Sequence, residues 1–272
     1  MKKFLALLIC AMMVFTMFAC QQAPAVDDSA DTNDAADAVT GDVATVKDAG
    51  KLVVGMTDYA PMNYKDDNGE WTGFDTEFAE AYAAKLGVDV EFIIIDWDNK
   101  YTELEAKSID CIWNGMTITE EGKLNASISN PYVKNAQVVV MANDKVADYA
   151  DTASMADLSF AVENGSAGAD AATEAGFEDV IAVQDQAAAL LEVASGSVDA
   201  CIIDITMANA MTGEGTSYAD YGYSVELSAE EYGVAFRKNS DMTADFNAFM
   251  AEAMADGTLD ALAEKYELTL VK

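Results

Sequence analysis

The feature that most constrains this chain is an alternation of strand and helix that runs through five segments, stops, and begins again. "KLVVGM", "GFDTEFAEAYAAKLG", "DVEFIIID", "KYTELEAKS" and "IDCIWNGM" read as strand, helix, strand, helix, strand from residue 51. "LSFAVENG", "SAGADAATEAG", "DVIAVQ", "DQAAALLEVASG" and "SVDACIID" repeat that order. In the first helix Phe74, Phe78, Tyr82 and Leu86 recur every four residues, Asp75 is placed to cap the start and Gly87 to end it. Such alternation predicts α/β architecture, with parallel-dominated sheets covered by helices. "AQVVVMAND" between the units and "YGVAFRKNS" after the second are β-rich runs of the length of a crossing segment. Two crossings make two lobes joined by a two-strand hinge, the C-terminal helices completing the first. Residues 48–139 and 235–272 are thus expected to form lobe 1, and residues 140–234 lobe 2. The cleft between them, beyond the carboxyl ends of the strands, is the expected site.

The start of the chain reads differently. "MKKFLALLICAMMVFTMFAC" has two lysines, an apolar run and a small residue before Cys20, the layout of a secretory signal over residues 1–19. The apolar run, residues 4–19, is shorter than the roughly 20 residues a bilayer-spanning helix needs. Residues 20–47 are mostly Ala, Asp and Thr, too poor in large apolar side chains to order themselves, and are expected to be an acidic tether.

Composition narrows the function. The formal charge is −33, so phosphate backbones are repelled and nucleic acid is a poor partner. The chain contains no His, which excludes imidazole catalysis and the commonest metal ligand; no metal and no cofactor are expected. Of the four cysteines, Cys10 leaves with the signal, while Cys111 and Cys201 sit in apolar runs of different lobes and are expected to be buried free thiols.

A signal ending in Ala-Cys resembles a bacterial lipoprotein signal, which implies lipidation of Cys20 and anchoring to the outer face of the cell membrane. Met17 and Phe18 depart from the usual residues there. Further on, "GFDTEFAEAYAAKLGVDVEF", "GMTITEE", "NPYVKNAQVVV", "SVDACIID", "YGVAFRK" and "ADGTLDALAEKY" resemble, in order, the extracytoplasmic solute-binding proteins of polar amino-acid ABC importers. The resemblance implies a two-lobe periplasmic-binding-protein-like fold of type II. It also implies a monomeric receptor that delivers a small-molecule solute, an amino acid or analogue, to an ABC transporter permease. Tyr59 and Trp97 match the family's aromatic walls, with Met62 where a second Phe often stands. Asp204 matches the carboxylate for the ligand's ammonium, with Asp58 as a second candidate; an N-cap of the following helix is the alternative role for Asp204.

The carboxylate grip is less regular. Asn114, Gly115 and Thr117 match the turn whose N–H groups and hydroxyl hold the ligand carboxylate at a helix start, and Ser166 opens a facing helix. Five residues after Thr117, where the family usually has an arginine, stands Gly122, and the chain's single arginine is Arg237. Lys123 is not a simple replacement, since one residue turns a helical side chain by about 100° and an ammonium lacks the planar fork. Three possibilities follow: Lys123 reaches round, the helix starts hold the carboxylate alone, or the solute has no carboxylate. A sensor or adhesin on the same fold, or a dehydratase-type enzyme, are the rival functions. A one-chain sensor is expected to continue into a span or signalling domain, and none follows Lys272.

Overall fold

The structure, a computed structural model, describes residues 41–272. The expected signal, Cys20 and the first part of the tether lie outside the described residues. Helix α1 (Asp42–Ala49) leads into β1 (Lys51–Met56) and the hairpin β2 (Tyr64–Lys65) and β3 (Trp71–Thr72). Then come α2 (Phe74–Leu86), β4 (Asp89–Ile94), α3 (Lys100–Glu105), β5 (Cys111–Ile112), α4 (Glu120–Asn125) and β6 (Ser127–Ile128). The second lobe holds β7 (Val133–Ala142), α5 (Asn143–Val146), β8 (Ser159–Glu163), α6 (Ala167–Ala175), β9 (Asp179–Val183), α7 (Gln186–Ser195), β10 (Ala200–Asp204), α8 (Ile205–Met211) and β11 (Tyr221–Tyr232). The chain returns through β12 (Ala235–Phe236) to α9 (Met242–Ala255) and α10 (Thr258–Lys265).

Two five-stranded sheets result, ordered β4-β1-β5-β12-β6 and β11-β7-β10-β8-β9. In the first, β1 is parallel to β4 and β5 while β12 runs antiparallel to β5 and β6. In the second, β8 is parallel to β9 and β10 while β7 runs antiparallel to β10 and β11. The sheets are therefore evenly mixed rather than parallel-dominated, because each crossing brings a strand back against the local direction.

The first crossing also lies earlier than expected, while the second falls between β11 and β12 as expected. All of β7 pairs within the second sheet, from Val133↔Tyr232 to Ala142↔Tyr221, so lobe 1 ends near residue 132 rather than 139. The two crossing segments bond to one another: the Tyr132 N–H donates to the Tyr232 carbonyl at 3.0 Å and the Ser129 N–H to the Val234 carbonyl at 2.9 Å. A pair of short bonded segments can change direction without disturbing either sheet, which is what a hinge requires.

The expected core of α2 is present: Phe74, Phe78, Tyr82 and Leu86 are buried, and Trp113 meets Phe246 of α9 edge-on at 4.9 Å between centroids. Asp75 is not the cap. Gly73 holds that position without a side-chain bond, and Asp75 turns inward, fully buried, to accept the Gly115 N–H at 2.6 Å and the Tyr132 hydroxyl at 2.8 Å. Cys111 on β5 and Cys201 on β10 are free and buried in different sheets, and burial raises both thiol pKa values. No helix among the described residues is long and apolar enough to cross a membrane.

The tether ends before residue 47, because residues 42–49 form α1, with Val46 packed into the core. Arg237 fixes it. Its guanidinium donates to Asp42 of α1 at 3.1 Å, to Asp110 at 3.1 Å and to the Ile109 carbonyl at 2.8 Å, with its side chain only 11% exposed. Removing it leaves two half-buried carboxylates facing each other. Arg237→Met is expected to destabilise the fold by about 3 kcal/mol in urea titration, with amide exchange in residues 42–49 rising first.

Candidate functional site

The lobes enclose a cavity of about 260 Å³. Trp97, Asn114, Gly115 and Thr117 line it from lobe 1, and Ser166 and Asp204 from lobe 2, so six of the expected ligand-binding residues converge. Asp58, Tyr59 and Lys123 do not line it. Asp58 is exposed beside Asp185, and burial together with that neighbour raises its carboxyl. Tyr59 is buried instead as a closure contact: its hydroxyl bonds Thr206 of α8 and Tyr232 of β11. Its ring packs over Gly115, whose φ of 55° favours glycine and where a Cβ would lie 2.6 Å from the ring. The aromatic wall is made by Trp97 and Tyr101, four residues apart on one turn.

Asp204 ends β10, and the backbone then turns into α8. It occupies the N-cap position yet makes no capping bond. Its carboxylate instead accepts amide donors from Gln137 at 2.7 Å, Asn135 and Gln186, so the capping alternative does not hold. The same Gln137 and Asn135 amides donate to Glu230 on β11, at 3.0 and 3.1 Å. Burial and the Glu230 charge raise the Asp204 carboxyl to about 7.

Part of the expected carboxylate grip is already engaged by the protein. The Gly115 N–H is held by Asp75, and the Thr117 hydroxyl donates to Glu230 at 2.8 Å across the lobes. The α4 start is capped by its own Thr119 and flanked by Glu120 and Glu121. Lys123 points away and pairs with Glu120 at 2.7 Å. Gly122 is buried against lobe 1, where a Cβ would stand 2.8 Å from the Tyr101 hydroxyl and 3.1 Å from Ile128. Of the grip the Thr117 N–H and the α6 start remain, with Ser166 lining the cavity while its Oγ accepts from the Ala169 N–H at 3.2 Å.

Several lining residues carry no motif signal: Lys100, Tyr101, Gln137, Glu163, Asp170 and Gln186. Glu163 was accessible to the rule that ligands meet strand ends, since it closes β8 as Asp204 closes the neighbouring parallel β10. Lys100 bridges the lobes by donating to the Trp97 carbonyl at 3.1 Å and the Gly165 carbonyl at 2.9 Å, its ammonium 5.1 Å from the Trp97 ring centre. Gly165, at φ 68°, abuts Asp98, where a Cβ would lie 2.6 Å from the carboxylate. The lining therefore carries Asp98, Glu121, Glu163, Asp170 and Asp204 against Lys100, and its field favours cations. Among the described residues no cluster of Cys, Asp or Glu could hold a metal ion.

Burial raises Glu163 to about 8, with Asp204 and Asp185 adding to the rise and Thr57 and Lys100 opposing it; burial also raises Asp75 to about 7. Each group holds a proton in the folded state at pH values where the unfolded chain has lost it. Their contribution to stability is thus greatest in acid and is lost as pH climbs through 7 to 8. The melting temperature of the solute-free protein should fall from about pH 5 to about pH 8 and level off above that. Glu163→Gln should make the fall shallower and melt about 2–4 °C higher at pH 9, the shift that about 1 kcal/mol produces at this size.

Sequence and structure comparisons agree with this geometry. The family of bacterial extracellular solute-binding proteins, family 3, matches residues 52–269. The L-cystine-binding protein TcyJ of Escherichia coli (strain K12) is 30% identical over 226 residues, covering 81% of this chain and 84% of that protein. Among solved structures, the arginine-bound form of truncated ArgBP from T. maritima superposes with a TM-score of 0.72 at 31% identity, over 76% of this chain and 98% of that one. An ancestral amino acid-binding protein, AncCDT-1, a precursor of cyclohexadienyl dehydratase, gives 0.75 at 32%, over 82% and 98%. The chain belongs to the bacterial extracellular solute-binding proteins, family 3.

Proposed function

We propose that this protein is the monomeric, extracytoplasmic receptor of an ABC importer, held at the outer face of the cell membrane through Cys20. It encloses a small amino acid or related compound between its lobes and presents it to the permease. The observation that carries this is the buried Asp204 carboxylate, turned away from its capping position and held at the cavity wall by three amides. A desolvated ammonium needs an ionised acceptor, and this one is already oriented.

The lobes divide the work. Lobe 1 offers the Trp97 and Tyr101 rings to the aliphatic or cationic parts of a solute, and lobe 2 offers Asp204 and Ser166. The bonds of Tyr59 to Thr206, Lys100 to Gly165 and Thr117 to Glu230 exist only when the lobes meet. A solute that touches both lobes adds to these and shifts the population toward closure. Relatives whose names specify cystine, arginine and histidine support an amino-acid solute.

A solute at one hundred times its dissociation constant is expected to stabilise the fold by about 2.7 kcal/mol. Asp204→Asn should abolish that gain in calorimetry run well below melting. Its own amide would face the donors of Asn135, Gln137 and Gln186, so the solute-free protein should also lose about 1–3 kcal/mol. Mass spectrometry of the titrated solute should find it unchanged; a product would favour the dehydratase-type alternative. Cys20→Ser should move the protein from the membrane fraction to the medium, and retention on the membrane would refute the anchor.

A further inference from the structure

Glu163 is the one lining carboxylate that is both buried and short of a partner. It is 3% exposed, and its Oε1 has no hydrogen-bond partner. Asp204, equally buried, is saturated by amides, and Lys100, the lining cation, gives its protons to the Trp97 and Gly165 carbonyls rather than to Glu163. A buried acceptor without a donor costs about 1–3 kcal/mol, more if charged. It is therefore a place where a solute's own donor is worth most.

The carboxylate side of the cavity is the reverse. The Gly115 N–H, the Thr117 hydroxyl and the Thr119 cap are occupied, which leaves only the Thr117 N–H and the α6 start; Lys123 faces away, and Gly122 is wedged against Tyr101. Glu121 and Asp170 face into the same space, where they oppose an incoming anion.

We propose that Glu163 is a second cation acceptor, and that the solute is a small dication whose two cationic groups meet Asp204 and Glu163 and which needs no carboxylate. This rests on the receptor function proposed above and specifies its solute. Of the three ways to accommodate the missing arginine, the geometry favours a solute without a carboxylate. The Trp97 and Tyr101 rings cover the aliphatic stretch between the two charges. Because buried Glu163 must ionise to pair, binding of a dication releases protons to the medium near neutral pH.

The test is calorimetry of the mature protein at pH 8 with matched pairs: lysine and 1,5-diaminopentane, arginine and agmatine, and glutamine and methionine as amino acids with neutral side chains. The dications are expected to bind at least tenfold tighter than the neutral amino acids, and loss of the carboxylate within a pair should cost less than tenfold. Glu163→Gln should weaken the dications by tenfold or more and so remove most of their preference over glutamine and methionine, while Glu163→Asp should retain part of that preference. The higher melting temperature of Glu163→Gln at pH 9 verifies that it is folded. Equal binding of glutamine, failure of the amines where their amino acids bind, or a Glu163→Gln variant with unaltered dication affinity would each overturn the proposal. In the first two cases the receptor function stands, since an amino acid still binds. If none of the six compounds binds, both proposals fall.

Discussion

The structure turns on a buried carboxylate and the three amides that hold it. Asp204 lies at the end of β10, yet its partners come from Asn135 and Gln137 on β7 and Gln186 on α7, and two of them also hold Glu230 on β11. Glu230 in turn takes the Thr117 hydroxyl from the other lobe. One network therefore ties both crossing strands, the central strand of lobe 2 and the cleft wall of lobe 1. Taking these carboxylates out of water is costly, and the neutral amide donors offset only part of it. The residual negative field belongs to the cavity, and a cation placed there completes what the protein leaves incomplete.

The distribution of positive charge follows from this. A cation resident in the cavity would neutralise the acids and remove their attraction for a solute. Arg237 is fixed far from the cleft, joining α1 to the first sheet through Asp42 and Asp110. Lys123 pairs along its own helix, and Lys100, the lining cation, is bound to carbonyls. One closure contact is wholly neutral: hydroxyls of Tyr59, Thr206 and Tyr232 meet across the lobes without bringing charge to the cleft. Such contacts are individually weak enough to open again, which a receptor that must release its solute requires.

Some of the site was legible residue by residue. Trp97, Asp204 and Ser166 were placed in the cleft by strand-end position and motif, because a side chain just past a β-strand in an α/β sheet has few other places to go. Tyr59 matched the motif equally well and is packed into the closure contact instead; its partners, Thr206 and Tyr232, lie 147 and 173 residues away in sequence. Gly115 and Thr117 were found in the right turn with the Gly115 N–H and the Thr117 hydroxyl already engaged by Asp75 and Glu230, partners no local pattern announces. Glu163 was passed over because "SFAVE" reads as an apolar strand whose final acid is ordinarily solvated.

By itself the sequence determined the repeated strand–helix order, the two lobes, the buried face of α2, the free cysteines and an acidic character hostile to anions. These depend on periodicity and composition, which are local. Only the tertiary structure decided where the lobes divide, since β7 could pair in either sheet until β11 came to lie beside it. It also decided that residues 42–49 are folded, because Arg237 holds them, and which acids are desolvated. Burial of a carboxylate depends on what the rest of the chain stacks over it, and that is a property of the closed fold rather than of any segment.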